Sequence, residues 1–557
     1  MAGFISEERL CFGPWPAMER TLARFIEHQG FNNVSVVGGS GDRGADVVGM
    51  IDNQKWVLQS KYRRDGQVDS EGAKEAVKAM SFYKADVAVA ATNQAFNDSA
   101  NRYHLEQTDN GTDLRLWGGK ILLDWYSDMD SKSLAYRELR DYQFEAVDAV
   151  EMARSNGSRN ALVLMATGLG KSLVLNQLVN NELSRNPNQE VLVLAHTVPL
   201  VRQLERQSWS QLDKEYSTHL WTDGEQPAYH GGVVFATYQT VVNVTEELTG
   251  KYGLVIVDEA HNAGAVTYKE LLERLSPNFL VGLTATPWRG DGQNLEGTFG
   301  EPVFSMDIIE GMQRGFLAEV DYRMLTDDID WDEVSAMTEQ GLSVKDLNSK
   351  LILPDRDEAM VDVFCSHYNG LNQPKALAFC RSIEHATMLQ MMFQTRGVKT
   401  GLIHSKMSRE QQFQMLSGFR EGIISLLLSV DMLNEGIDIP DVGLVGFMRV
   451  THSRRIFVQQ LGRGLRLSAG KSKVVVLDFV ADIKRLAEGI HVNNQAAKGA
   501  HRPETVKYTD GTIVKFDNDK PASFFEKFLA DVADIADMGD SAKLKFPETI
   551  TNSLESF

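Results

Sequence analysis

The chain has 557 residues, and at roughly 150 residues per domain that predicts three or four hydrophobic cores rather than one. Hydrophobic residues at 43% and charged residues at 24% are ordinary for a soluble folded protein and exclude a largely disordered one. The net charge of −19 bears on solubility and long-range steering, and leaves local binding of a polyanion open. No apolar run approaches the ~18 residues of a membrane span, so no membrane partner is expected. Glu7 and Glu8 precede any apolar stretch, so the N-terminus does not read as a signal peptide. Cys11, Cys365 and Cys380 are odd in number and far apart. They exclude a disulfide framework or cysteine-rich zinc site and point to a reducing, cytoplasmic location.

In chain order, Ala17–Gln29 has Met18, Leu22, Phe25 and Ile26 at helical spacing. Strand-like runs follow near Val34–Val37, Ala45–Ile51 and Trp56–Ser60, then a helix at Ala73–Tyr83 and a strand at Val87–Ala91. The polar stretch Ser127–Ser133 reads as a linker between separately folded cores. Beyond it, apolar runs at Ala161–Met165, Val191–Ala195, Val233–Ala236, Leu254–Val257 and Phe279–Leu283 alternate with helical patterns, which predicts βαβ units and a parallel sheet. After an acidic connector at Thr326–Glu333 the pattern restarts at Ala376–Phe379, Ser425–Val430, Leu444–Met448 and Val474–Phe479. The fold class is α/β, with expected domains 1–130, 131–310 and 311–485 and an appendage over 486–557. In the appendage, Asp510-Gly511 suggests a hairpin and Phe524–Ala536 an amphipathic helix.

Ala166-Thr-Gly-Leu-Gly-Lys-Ser172 follows a strand and opens a helix. Backbone N–H groups at Thr167, Gly168 and Gly170 can cradle phosphates there, Lys171 can hold the β/γ-phosphates and Ser172 can ligate Mg²⁺. Asp258-Glu-Ala-His261 ends an apolar strand, where Asp258 can hold the metal and Glu259 can polarise an attacking water. Gln459-Gln-Leu-Gly-Arg-Gly-Leu-Arg466 offers Arg463 and Arg466 on one helical face as transition-state cations. They lie in a stretch, Val442–Leu477, that contains no Asp or Glu. Alone, each motif has a plainer reading: a glycine-rich turn, a helix-capping acidic pair, a basic surface.

Together, the series resembles superfamily 2 helicases and translocases of the DEAH-box type across residues 136–485. In that likeness Arg140-Asp-Tyr-Gln143 corresponds to the adenine-reading Q motif, with Gln143 as reader, and Ala166–Ser172 to motif I. His196-Thr197 through Gln203 resembles motif Ia, and Thr237-Tyr-Gln-Thr240 the strand-contacting motif after it. Asp258–His261 is similar to motif II, which gives His261 its place at the site, and Thr284-Ala-Thr-Pro287 to motif III. Cys380-Arg381-Ser382 resembles motif IV, Asn434-Glu-Gly-Ile-Asp-Ile-Pro440 motif V, with Gly436 and Asp438 at the nucleotide, and Gln459–Arg466 motif VI. The resemblance, nearest to restriction-enzyme motors, implies ATP- and Mg²⁺-driven movement on DNA, usually duplex. It does not imply strand separation.

In the N-terminal region, Gly38-Gly-Ser-Gly-Asp-Arg-Gly-Ala-Asp46 precedes Leu58-Gln-Ser-Lys61. Asp46 and Gln59 could share a metal, and Gln59 and Lys61, two residues apart, share a strand face. A Gln-x-Lys pair is otherwise an ordinary solvent face. Over Pro16–Tyr126 the region resembles Mrr-type restriction endonucleases, a PD-(D/E)xK nuclease branch. Glu19 stands where that family often has an acidic residue, and LQSKY matches its Q-x-K variant. The likeness implies a Mg²⁺- or Mn²⁺-dependent nuclease. The leading expectation is therefore an ATP-driven DNA translocase or helicase coupled to an endonuclease, restriction-like and prokaryotic or phage-associated. The alternative is a repair, recombination or replication remodeller whose N-terminal domain mainly binds DNA. No protein partner is legible.

Overall fold

The computed structural model describes residues 3–6, 10, 15–38, 44–222, 225–227, 231–243, 248–261, 266–285, 295–307, 310–311, 314–326, 354–371, 375–430, 442–448 and 473–480. Arg463, Arg466, Gly436, Asp438, and the expected hairpin and helix of the appendage lie outside them. Described residues up to Leu164, with those of 170–285 and 295–305, form one compact unit; those of 165–169 and from 306 onward form a second.

The chain begins with α1 (Trp15–His28) and a five-stranded sheet in the order β1 (Asn32–Val36), β2 (Val47–Ile51), β3 (Gln54–Lys61), β4 (Val87–Thr92), β5 (Leu114–Trp117). The first three strands are antiparallel, and β3, β4 and β5 run parallel. The switch follows from the connections: a two-residue turn can only reverse the chain, whereas α2 (Glu71–Tyr83) and α3 (Asp98–Asp109) are crossovers that return it in the same direction. Met18, Leu22, Phe25 and Ile26 of α1 are all buried, packed with Val47, Leu58, Trp56 and Trp117 on one sheet face. Val48, Val57 and the alanines of α2 fill the other. Helix α4 (Gly119–Asp128) closes the domain.

Helix α5 (Asp141–Ser155) leads into a seven-stranded sheet ordered β12 (Pro302–Met306), β6 (Asn160–Met165), β11 (Phe279–Thr284), β10 (Tyr252–Asp258), β7 (Glu190–Ala195), β9 (Val233–Thr237), β8 (Thr218–Trp221). Every pair from β6 to β8 is parallel. Strands buried on both faces read as unbroken apolar runs, and β10 is buried from Tyr252 to Val257 and emerges only at Asp258. Helices α6 (Lys171–Arg185), α7 (Val198–Ser208) and α8 (Val266–Leu275) are among its crossovers. The stretch 127–133 does not set this sheet apart from the N-terminal domain, because Trp209, from the segment after α7, belongs to the same buried cluster as Phe25 and Trp117.

In the second unit a six-stranded parallel sheet has the order β13 (Glu319–Thr326), β18 (Lys473–Val480), β17 (Leu444–Met448), β14 (Ala376–Cys380), β16 (Leu426–Val430), β15 (Thr400–His404). Its helices are α9 (Pro354–Asn369), α10 (Ile383–Thr395) and α11 (Arg409–Arg420).

Candidate functional site

Two groups of polar side chains stand at strand ends. In the first α/β lobe, β6 runs into the turn that precedes Lys171, the first residue of α6. Gly168 and Gly170 have φ of 95° and 84°, left-handed values that a Cβ disfavours by about 1–2 kcal/mol. Gly170 is needed for a second reason: a Cβ there would lie 2.5 Å from Gln143 Nε2. Gln143, at the start of α5, folds back so that its Oε1 accepts from the Arg140 N–H at 2.9 Å, which sets its amide beside the glycine. The Thr167 hydroxyl oxygen is buried with no hydrogen-bond partner among the described residues.

Facing this turn, β10 ends at Asp258. Glu259 has φ of 51°, a sparsely populated conformation for a non-glycine residue that recurs at functional sites. Its Oε1 lies 3.9 Å from Lys171 Nζ and its Oε2 3.3 Å from His261 Nδ1. The same imidazole nitrogen is 2.7 Å from Thr284 Oγ1 at the end of β11. Lys171, Glu259, His261 and Thr284 thus form one contiguous chain of polar contacts across three neighbouring elements. Ser172 Oγ donates to Gln207 Oε1 of α7 at 2.7 Å. Nearby, burial lifts the Tyr268 phenol well above its usual range, with Tyr238 and Asp258 adding to the effect.

The second group sits in the N-terminal sheet. Asp46, 1% exposed, accepts at Oδ2 from Gln59 Nε2 (2.9 Å) and the Ser60 N–H (2.6 Å). Both donors come from β3, and the backbone locks the two segments together through Asp46 N–H to Leu58 O at 2.8 Å. Gln59 Oε1 is buried and has no hydrogen-bond partner among the described residues. Lys61 pairs with Glu75 of α2, Nζ to Oε2 at 2.6 Å. Its stem crosses Gly72, where a Cβ would stand 2.6 Å from Lys61 Cγ. Glu19 of α1 is buried against Gly38, where a Cβ would be 2.5 Å from Glu19 Oε2. The Gly38 and Val37 N–H groups in turn donate to the Asp46 carbonyl at 3.2 and 2.7 Å. Among the described residues no group of three or more His, Cys, Asp or Glu side chains is arranged to hold a metal. Here the donors are one carboxylate and one amide oxygen, hard ligands that suit Mg²⁺ with water completing its shell, and the orphaned Gln59 oxygen fits such an ion.

In the second unit, Asp357 is fully buried, with Arg381 Nη2 at 3.6 Å and His385 Nε2 at 3.4 Å. Glu75, Gln207, Asp357 and His385 carry no motif signal. Each is joined to its partner only by the fold.

Three family models match the chain: restriction endonuclease over residues 13–126, type III restriction enzyme res subunit over 137–289, and helicase conserved C-terminal domain over 357–468. The matched segments are thus an N-terminal restriction endonuclease domain of the Mrr type and two domains of the superfamily 2 helicase type. IRC3 of Saccharomyces cerevisiae, an ATP-dependent helicase by name, is 24% identical over 395 residues, which are 67% of this chain and 55% of that protein. The type I restriction enzyme EcoAI endonuclease subunit of Escherichia coli is 25% identical over 400 residues, 64% of this chain and 47% of that one. The chain thus spans about half the length of these curated relatives. The solved structure of the ATP-dependent type ISP restriction-modification enzyme LlaBIII bound to DNA shares the fold, with a TM-score of 0.53 at 18% identity, over 98% of this chain and 43% of that one. No described helix is long and apolar enough to cross a membrane.

Proposed function

We propose that the chain is an ATP-driven translocase or helicase acting on duplex DNA, joined to a divalent-metal-dependent endonuclease that cuts DNA in a restriction-like role. The observation that carries the reading is that one chain holds both centres: the Lys171–Glu259–His261–Thr284 constellation and the Asp46–Gln59–Lys61 group. At the first, Lys171 would neutralise the β/γ-phosphates, and Gln143 would read the adenine. Glu259 would orient the attacking water while its contact with His261 ties it to Thr284. Ser172, on leaving Gln207, and Asp258 would hold the Mg²⁺, which supplies charge neutralisation on the phosphates. Arg463 and Arg466 would add the transition-state cations.

At the second centre, Asp46 and Gln59 Oε1 would hold Mg²⁺ or Mn²⁺, which supplies an activated water and a Lewis acid at the scissile phosphate. Lys61 would compensate the charge that develops there, and Glu19 would support the Asp46 turn. One observation favours a second reading, a DNA-binding module with no cutting: Gln59 is neutral and holds Mg²⁺ less strongly than a carboxylate. Supercoiled, linear and branched DNA incubated with ATP and Mg²⁺ or Mn²⁺, scored for both phosphate release and cutting, separates the two. Wild type should cut. Asp46→Ala should lose metal affinity and cutting together, and Lys61→Ala mainly cutting. A wild-type protein that nicks no DNA form under any of these conditions establishes the binding-module reading instead.

A further inference from the structure

Helix α1 belongs to the nuclease domain by sequence, yet much of its polar anchoring comes from the first helicase lobe. Its residues 19, 22, 23 and 26 follow the i, i+3, i+4, i+7 pattern of one face. Leu22, Ala23 and Ile26 on that face lie in the core and Glu19 lies against Gly38. The adjoining face carries Arg20, Arg24 and Glu27. Arg20 Nε is 3.2 Å from Glu205 of α7, and its Nη2 pairs with Glu225. Arg24, 2% exposed, donates to the Tyr216 and Asp213 carbonyls at 2.8 and 3.2 Å, with its guanidinium 4.2 Å from the Phe4 ring centre. Glu27 pairs with Arg206, whose Nη2 also donates to Val34 O at 2.8 Å.

Burial works against both partners. Glu205 and Glu225 outweigh it at Arg20 and raise the guanidinium above its usual range, while at Glu205 burial outweighs Arg20 and pushes the carboxyl up. The clamp therefore rests on the geometry of these contacts. The Thr218 hydroxyl donates to Glu205 Oε1 at 3.1 Å, the oxygen that also accepts from Arg20 Nε. A largely covered charge placed this way cannot slide without leaving the buried Glu205 carboxylate uncompensated. The apolar face sets the rotation of α1 on the sheet and the helicase lobe holds it on the adjoining face, so Glu19, one residue from Arg20, turns with that second anchor.

We propose that Arg20 is a positioning residue for the nuclease centre: Glu205 and Glu225 of the helicase lobe hold it, and through it they fix Glu19 against Gly38, whose N–H donates to the Asp46 carbonyl. The nuclease domain then has its full cutting geometry only while seated on that lobe. This rests on the nuclease reading above.

The test uses the full chain with Arg20→Gln, Arg20→Lys, Glu225→Gln and the double variant Arg20→Gln/Glu225→Gln. Three quantities are read: Mn²⁺ affinity of the nuclease centre by calorimetry, the cutting rate at saturating DNA and metal, and ATP hydrolysis. Residues that orient metal-site groups from behind are worth roughly 10–100-fold, so Arg20→Gln should lose about tenfold or more in cutting rate or Mn²⁺ affinity. ATP hydrolysis should stay within about twofold, because Arg20 meets α7 at Glu205 and makes no hydrogen bond with Gln207, the residue of that helix that holds Ser172. Arg20→Lys should recover part of the loss. Glu225→Gln should lose in the same direction, and the double variant should lose no more than Arg20→Gln alone. Wild-type cutting and Mn²⁺ affinity in Arg20→Gln overturn the proposal. So does parallel loss of ATP hydrolysis in both single variants, which marks general unfolding. If wild type binds Mn²⁺ without cutting, only the nuclease reading fails, and the Mn²⁺ affinities still decide the clamp. If it does neither, both ideas fall.

Discussion

Replacing Gln59 with Glu turns the proposed nuclease centre into the commoner two-carboxylate form and exposes what the amide does. In the wild type, Gln59 Nε2 donates to Asp46 Oδ2 at 2.9 Å. The variant sets two carboxylate oxygens at that separation in a buried site. With an effective dielectric of about 20, Coulomb's law gives a repulsion of about 6 kcal/mol, equivalent to roughly four pKa units. Without metal, one carboxyl therefore takes up a proton at neutral pH rather than remain charged. A divalent ion would displace that proton, so Gln59→Glu should bind Mn²⁺ more tightly and release about one proton per ion. Wild type should release almost none. Calorimetry in two buffers of different ionisation enthalpy reads the proton directly, and melting in a chelator checks the metal-free state. Unchanged affinity and no proton release in Gln59→Glu would refute the claim that this side chain faces the ion.

At the helicase centre, Lys171→Ala and Glu259→Gln should each abolish steady-state ATP hydrolysis, with Glu259→Gln still binding nucleotide in a fluorescence titration. Gly170→Ala combines φ of 84° with a Cβ aimed at Gln143; a strain of about 1–2 kcal/mol corresponds to roughly tenfold weaker ATP binding. Arg463→Ala and Arg466→Ala should keep nucleotide binding and lose about 10³-fold or more in hydrolysis rate, as arginine fingers do; intact hydrolysis in both would remove them from the site. Burial alone would raise the Glu182 carboxyl, but hydrogen bonds from Arg154 and Asn186 and the Arg185 charge hold it below its ordinary value. A depressed carboxyl contributes stability above its unfolded pKa of about 4.3, lost as pH falls through the folded value. Arg154 and Arg185 stay partly solvated, so Glu182→Gln should cost about 1.5–2 kcal/mol in urea melts at pH 7, and less at pH 4.

What the sequence made legible was whatever repeats along the chain. The helical spacing of Met18, Leu22, Phe25 and Ile26 foretold a buried face of α1, and the unbroken apolar run before Asp258 foretold β10 and placed an acidic pair at its end. The motifs put Asp46 and Gln59 on neighbouring segments, and there the Gln59 amide donates to the Asp46 carboxylate. Short edge strands did not announce themselves: β8 is Thr-His-Leu-Trp, β15 contains Gly401 and His404, and β12 opens on Pro302, where pairing on one side demands little apolar length. Nor did the partners of Arg20 and Arg24, 185 to 205 residues away. On the sequence those arginines look like the solvated side of an amphipathic helix, because a charge satisfied at long range leaves no local pattern. The polar stretch 127–133 lies between the two matched domains, as its composition suggests. What its composition does not show is that it also packs on the following domain, with Lys214 N–H donating to the Ser131 carbonyl at 2.8 Å and Met129 in the cluster that holds Trp209.

The order of strands in the second helicase domain has a consequence for biosynthesis. Among the described strands β13 has β18 as its one neighbour in the sheet, and Glu319 is in register with Lys473. On a ribosome adding about 5–20 residues per second, the partner emerges roughly 10–30 s after β13. For that interval the nascent strand has two unsatisfied edges, the condition that invites pairing with another chain. Its sequence, Glu-Val-Asp-Tyr-Arg-Met-Leu-Thr, interrupts the apolar residues with Glu319, Asp321 and Arg323, and charges spaced this way oppose aggregation. Neutralising all three should leave the finished sheet's backbone pairing possible while lowering the soluble yield, most of all where synthesis is slow.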